Sequence, residues 1–192
     1  THLGETYDTG DFARMLERVL EVADWKGFEA RRGESKRRGK LRGRGLAVYI
    51  EWTGALPTET VDIRVDADGT VTVFSGTQAM GQGLETSYAQ LITEVLQIPL
   101  GKVRIVQGDT DQANGMGSVG SRSAFVGGSA VVSAGRKTVA RGKELAADAL
   151  ESAAADIEYR NGQFSIAGTD RSIALADLAA KYPDLFVFGE DV

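Results

Sequence analysis

Cysteine is absent from this chain, and His2 is its single histidine. The first absence excludes disulfides and iron–sulfur ligation within the chain. The second removes both the usual zinc ligand set and a Ser-His nucleophile pair, since His2 sits at a terminus. Long apolar runs are missing too: nothing approaches the roughly 18 consecutive apolar residues of a membrane span. No charged-then-apolar opening resembles a signal peptide, so a cytoplasmic location is expected. A segment so poor in nucleophiles and metal ligands is expected to hold something rather than to react with it.

What is present describes an ordinary globular chain of 192 residues, 42 % hydrophobic and 26 % charged. It fits one domain or one domain with an appendage. It begins at Thr1 rather than Met, as expected of a processed product or an excised piece. The net charge of −5 is unevenly spread, because residues 1–44 hold eleven Lys and Arg against eight Asp and Glu. The basic excess lies between Arg31 and Arg44 and lacks interleaved aromatics for base stacking. A solvated or inter-subunit face is therefore expected there, and no nucleic acid.

Residues 1–42 read as an opening helical segment. Asp11 starts a helix with Phe12, Met15, Leu16, Val19, Leu20 and Ala23 at helical spacing, and a second helix spans Phe28 to Arg38. From residue 43 to 192 the reading is one α+β domain, with a mixed, mainly antiparallel sheet and helices packed on it. Its expected strands are Leu46 to Trp52, Val61 to Val65, Thr70 to Ser75 after an Asp68-Gly69 turn, and Val103 to Val106. Leu84 to Leu96 and Ala124 to Leu150 read as helices. In the second, Gly127, Gly128, Gly135 and Gly142 each cost up to about 1 kcal/mol relative to Ala, so close packing is expected there. An Asn161-Gly162 hairpin and a short helix, Leu175 to Lys181, complete the chain.

Two glycine-rich segments stand where a strand gives way to a helix: Gly76-Thr77-Gln78-Ala79-Met80-Gly81-Gln82-Gly83 and Gly115-Met116-Gly117-Ser118-Val119-Gly120-Ser121-Arg122-Ser123. Backbone amides at a helix start carry unpaired donors and the positive end of the macrodipole, which suits phosphates. The first segment does not complete a dinucleotide fingerprint, because Thr86 stands where the third glycine belongs. Neither is followed by Lys-Ser or Lys-Thr, which excludes a Walker loop. The second puts two hydroxyls either side of Arg122, whose guanidinium either clamps a phosphate or pairs with a carboxylate elsewhere. Gly108 to Asn114 superficially resembles a calcium loop, but Ala113 and Asn114 break its spacing, and an Asx-turn is expected. Glu190 reads as part of an acidic tail.

Taken in order, these segments resemble the molybdenum hydroxylases: xanthine dehydrogenase, aldehyde oxidase and the carbon monoxide dehydrogenase large subunit. The resemblance rests on Gly76 to Gly83 with Thr86, on Val103 to Thr110 and on Gly117 to Gly128. Upstream, Tyr7 to Phe12, Gly27 to Arg32 and Gly43 to Glu51 look like the carbon monoxide dehydrogenase-like branch. It implies binding of molybdopterin, commonly as the cytosine dinucleotide with molybdenum. Gly81, Gln82 and Gly83 would lie against the pterin and its phosphate, and Gly120, Ser121, Arg122 and Ser123 would wrap the pyrophosphate. Iron–sulfur and FAD units, and the remainder of a large subunit, are the implied partners.

Two family segments are missing here: the Phe-Gly-Gly-type loop that faces the metal, and the Gly-x-Gly-Glu segment with the general-base glutamate. No catalytic residue is therefore expected in this chain. It reads as an interior slice of a larger oxidoreductase subunit, inactive alone and without tightly bound cofactor. The alternatives are a non-enzymatic assembly module with structural glycine turns, and a nucleotide-phosphate binder of another kind.

Overall fold

A computed structural model describes residues 4, 6–54, 56, 58–183 and 186–188; His2 and Glu190 lie outside them. The chain divides into two compact units, Thr1–Ile50 and Glu51–Val192.

The first unit carries α1 (Phe12–Val22) and α2 (Phe28–Arg37). Asp11 caps α1 by accepting a hydrogen bond from the Arg14 amide at 3.1 Å. Yet α1 buries none of its residues. Its apolar stripe, Phe12, Met15, Leu16 and Val19, borders an open groove whose other wall is Leu46 to Ile50. Basic side chains of the same unit are tied down locally: the Arg44 guanidinium stacks over Trp25 and Phe28 and donates to the Trp25 carbonyl, and Arg42 donates to Ser35 Oγ at 3.0 Å.

The expected strand at Leu46 to Trp52 does not form; this stretch is irregular, and Val48, Tyr49 and Trp52 are exposed. A strand is made by the neighbour that pairs its amides and carbonyls, and no described strand runs beside it.

The second unit is built on a four-stranded sheet ordered β3-β2-β1-β7, with β1 at Val61–Val65, β2 at Val71–Ser75, β3 at Val103–Gln107 and β7 at Phe186–Phe188. The β1–β2 hairpin turns at Asp68, whose carboxylate accepts from the Thr70 amide at 2.8 Å. β3 pairs with β2 in parallel, and α3 (Leu84–Leu96) supplies the crossover that parallel pairing requires. One face of the sheet, Val61, Ile63, Val65, Val71 and Val73, shares a core with Tyr88, Ile92 and Leu96 of α3. Ala130, Val131 and Ala134 of the long helix α4 (Gly128–Leu150) join the same core.

The α+β architecture is thus the expected one, with a parallel pair inside a mainly antiparallel arrangement. A second sheet, β4 (Ile157–Arg160), β5 (Gln163–Ile166) and β6 (Ser172–Ala174), is wholly antiparallel. Its Phe164 ring packs against Gly142 of α4, where any Cβ would collide with it. The last helix, α5, spans Leu175–Lys181.

The core order has a consequence for the chain ends of β2 and β3. Both strands run the same way and finish side by side, Ser75 opposite Gln107. Each then leads, directly or through the Gly108 to Asn114 loop, into one of the two glycine-rich turns. The topology therefore brings the turns together although forty residues separate them in sequence.

Candidate functional site

The two turns meet first through backbone. A Cβ on Gly76 would strike Gly115 and the Asn114 carbonyl carbon, and one on Gly115 would strike Glu59 and come within 2.8 Å of the Gly76 Cα. Glycine at both positions is what lets two main chains lie in contact. The second link is Ser118. Its hydroxyl accepts from the Gln78 amide and donates to the Gln78 carbonyl, both at 3.0 Å, and accepts from Ser123 Oγ at 2.8 Å. A single serine thus holds the first turn to the start of the helix that follows the second.

The first turn is open. Gly81, Gln82 and Gly83 are exposed, and a Cβ on either glycine would meet nothing within 4 Å. Gly81 and Gly83 have φ of 89° and 78°. Gln82 folds back over its own turn, donating to the Gln78 carbonyl at 3.1 Å and accepting from the Met80 amide at 2.5 Å. One amide proton and one carbonyl lone pair of that side chain stay available. Gly83 is the N-cap of α3 and no side chain caps the helix. The Ser87 hydroxyl bonds back to the Gly83 carbonyl at 3.2 Å, so it does not serve the free amides either.

The second turn is anchored. Gly120 and Ser121 both take positive φ, 57° and 53°, before the chain turns helical at Arg122. For serine this backbone costs energy and persists only where the surroundings impose it. Gly54 imposes part of it, donating its amide to the Gly120 carbonyl at 3.1 Å. Ser121 Oγ lies 3.4 Å from the Glu51 carboxylate, to which it donates.

Arg122 settles the choice its sequence left open: it pairs with a carboxylate. Its side chain is fully buried with that of Glu59, to which Nη1 donates. The same guanidinium donates to the carbonyls of Leu56 at 3.0 Å, Gly117 at 2.7 Å and Thr58. Four directed bonds from a buried cation leave it a structural role, bracing the turn from beneath. Glu59 was not legible as a partner, because a lone glutamate between two threonines carries no pattern.

From Ser123 to Gly127 the chain makes a π-helical turn before entering α4, again with no side-chain cap. The site therefore offers two uncapped helix starts side by side. Around them are the backbone amides of the turns and the remaining amide proton of Gln82, while the Ser121 and Ser123 hydroxyls donate to Glu51 and to Ser118 Oγ. Such a set of neutral donors and aligned dipoles favours an anion with more than one charged group.

Beneath the turns lies a buried polar seam. Ser75, Thr77 and Tyr88 are fully buried and hydrogen-bonded in series, and the Tyr88 hydroxyl reaches the Ser123 carbonyl at 2.7 Å. Burial pushes the Tyr88 phenol above its ordinary value, with the Thr77 hydrogen bond acting in the opposite direction. Sequence pattern alone places Tyr88 within the helix Leu84 to Leu96 and says nothing of this hydroxyl.

The loop leading into the second turn is the expected Asx-turn. Asp109 Oδ1 accepts from the Asp111 amide at 3.0 Å and Oδ2 from the Gln112 side chain, which holds this carboxyl below its ordinary value. Among the described residues no cluster of three or more His, Cys, Asp or Glu is placed to hold a metal ion.

Comparison with known proteins places the chain in a family. The sequence model of the molybdopterin cofactor-binding domain family matches residues 18–187. The gamma subunit of the 6-hydroxypseudooxynicotine dehydrogenase complex of Paenarthrobacter nicotinovorans is 34 % identical over 91 % of this chain and 22 % of its own length. The carbon monoxide dehydrogenase large chain of Hydrogenophaga pseudoflava is 35 % identical over 67 % of this chain and 18 % of its own. A solved structure of the Cu,Mo-carbon monoxide dehydrogenase superposes with a TM-score of 0.66 and 29 % identity, covering 96 % of this chain and 27 % of that one. This chain thus spans about a fifth of the length of these curated relatives. By sequence and by fold, it belongs to the molybdopterin cofactor-binding domain family.

Proposed function

We propose that the chain is the cofactor-cradling portion of a molybdenum-dependent oxidoreductase large subunit, and that the two glycine-rich turns grip the two ends of the cofactor. Gly81, Gln82 and Gly83 face the pterin and its phosphate. Gly120, Ser121 and Ser123 supply backbone amides to a pyrophosphate; the Ser121 and Ser123 hydroxyls, which donate to Glu51 and Ser118 here, reach it only by exchanging those partners, and Arg122 braces the turn from below. The cytosine dinucleotide form is the version that needs both turns.

The observation that carries the reading is the pair of uncapped helix starts, joined by Gly76 against Gly115 and by Ser118. The donor set fits the group: amides and hydroxyls can accept a phosphate without charge neutralisation by a cation. When bound, the molybdenum would supply the redox chemistry of the intact enzyme, the hydroxylation of a small substrate or oxidation of carbon monoxide.

This chain's own residues bind and orient. The general base and the substrate pocket belong to other parts of the subunit, and electrons leave through iron–sulfur and FAD partners. That one relative is a subunit of a named complex supports such an assembly. No described helix is long and apolar enough to cross a membrane, and a cytoplasmic enzyme is proposed. The test is to purify the full-length protein and measure molybdenum and the cytosine nucleotide released by acid. Both are expected near one per polypeptide, and active protein lacking them would refute the cradle.

A further inference from the structure

The two turns are joined a third time, through the buried interior. Tyr88 sits on α3 with its ring in the core, and its hydroxyl donates to the Ser123 carbonyl at 2.7 Å. A carbonyl oxygen only accepts, so the single phenolic proton is committed there. The Thr77 hydroxyl, 3.0 Å away, must then give its proton to Tyr88, and Ser75 Oγ, 2.8 Å from Thr77, must give its own to Thr77. Gln107 adds a second donor to Thr77 at 3.3 Å. The seam therefore has one direction, from Ser75 through Thr77 and Tyr88 to Ser123, and chains of this kind reinforce one another in a low-dielectric interior.

Its two ends belong to different turns. Thr77 is the second residue of the first turn, while Ser123 closes the second and opens the helix behind it. Space for the link is built in from the far side: a Cβ on Gly127 would run into the Tyr88 hydroxyl and lie 3.2 Å from Thr77 Cγ2. Ser123 is held at both its carbonyl and its hydroxyl, the latter donating to Ser118 at 2.8 Å. With the carbonyl pinned, the helix start behind it cannot rotate away from the first turn without breaking the seam.

We propose that Tyr88 is a positioning residue: through the Thr77–Tyr88–Ser123 chain it sets the separation of the two turns, and so couples the hold on the pterin end of the ligand to the hold on its phosphate end. The proposal rests on the cradle described above. It predicts that loss of one hydroxyl, distant from the ligand, loosens the ligand at both ends.

The experiment uses the full-length, cofactor-loaded protein. Tyr88→Phe keeps the ring and removes the hydroxyl; Gly127→Ala attacks the same link from the other side. Ile157→Val, in the second sheet and buried, serves as a variant that lowers stability without touching the turns. Molybdenum and cytosine nucleotide retained after gel filtration are followed in time, with the thermal midpoint measured on each protein. Tyr88→Phe and Gly127→Ala are expected to release both components together, about fivefold faster than the unaltered protein, the ratio that one hydrogen bond of ordinary net worth produces. Ile157→Val is expected to release them at the unaltered rate. Equal release by Tyr88→Phe and the unaltered protein overturns the coupling, as does equally fast release by Ile157→Val. If the unaltered protein carries neither molybdenum nor cytosine nucleotide, the cradle itself falls; if it carries both and only the release rates fail to differ, the coupling falls alone.

Discussion

The two glycine-rich turns have similar composition and opposite mechanics. The outer half of the first, Met80 to Gly83, is held by weak, exposed bonds of its own: Gln82 closes over it, and Gly81 and Gly83 border open space. The second is bolted to the interior by a buried ion pair and three backbone carbonyls around Arg122. One central side chain makes the difference. Glutamine can serve its own loop and still offer a hydrogen-bonding position outward, whereas a buried guanidinium must spend every donor on partners that compensate its lost hydration. A cradle built this way has one rigid wall and one adjustable wall.

The sharpest way to break this contrast is to unpair the rigid wall. Glu59→Ala leaves Arg122 buried without its carboxylate, and a stability loss of about 3–5 kcal/mol is expected. Chemical denaturation of the full-length protein would measure it; a loss below 1 kcal/mol would mean the second turn is not anchored by this pair.

Gly76→Ala comes next, because the added methyl must push the first turn off Gly115. Overpacking of this kind costs about 1–3 kcal/mol, and the first turn should lose cofactor in proportion. Retention at the unaltered level would show that backbone contact does not set the cradle.

Smaller in stability but larger in binding are Gln82→Ala and Ser123→Ala. Gln82 is exposed, so its loss should change stability by no more than about 0.5 kcal/mol, yet cofactor content should fall for both variants. Unchanged content with a reduced turnover rate would move these residues from binding to chemistry.

The smallest effect is on pH. Asp109, before the second turn, has its carboxyl held below the ordinary value, first by the Gln112 side chain and then by the Asp111 amide. A group depressed in the folded state stabilises above its unfolded pKa, and that contribution is lost as pH falls through the folded value. Amide-exchange protection in residues 109–113, taken relative to the intrinsic rate at each pH, should therefore fall below the ordinary aspartate range, while residues 78–83, which have no such anchor, respond less. Parallel responses in both stretches would remove the distinction.

Much of the fold follows from local pattern. Strict alternation in Val61 to Val65, the Asp68-Gly69 turn, the Asn161-Gly162 hairpin and the short helix at Leu175–Lys181 all stand where periodicity and turn chemistry put them. The small residues of α4 are buried as expected, several against α3 or Phe164. Leu46 to Trp52 shows the limit of such reading: its composition is that of a strand, but a strand exists only with a neighbour. The three-residue strands β6 and β7 were invisible for the same reason, being too short for any period to declare them.

The site divides along the same line. Local chemistry located both turns, and the family resemblance singled out Gly81, Gln82, Gly83, Gly120, Ser121 and Ser123 as the residues worth testing. Local chemistry also stated the two options for Arg122 without choosing. The choice required Glu59, sixty-three residues away, and the roles of Ser118 and Tyr88 required contacts across forty and thirty-five. By itself, the sequence determined the helix starts, the turn residues and the lack of cysteine, because these depend on residue type and on neighbours along the chain. Only the tertiary structure decided which charge is buried, which hydroxyl links which turn and which strand finds a partner. Pairing and desolvation are properties of what lies beside a residue in space, and that is fixed only when the chain has closed on itself.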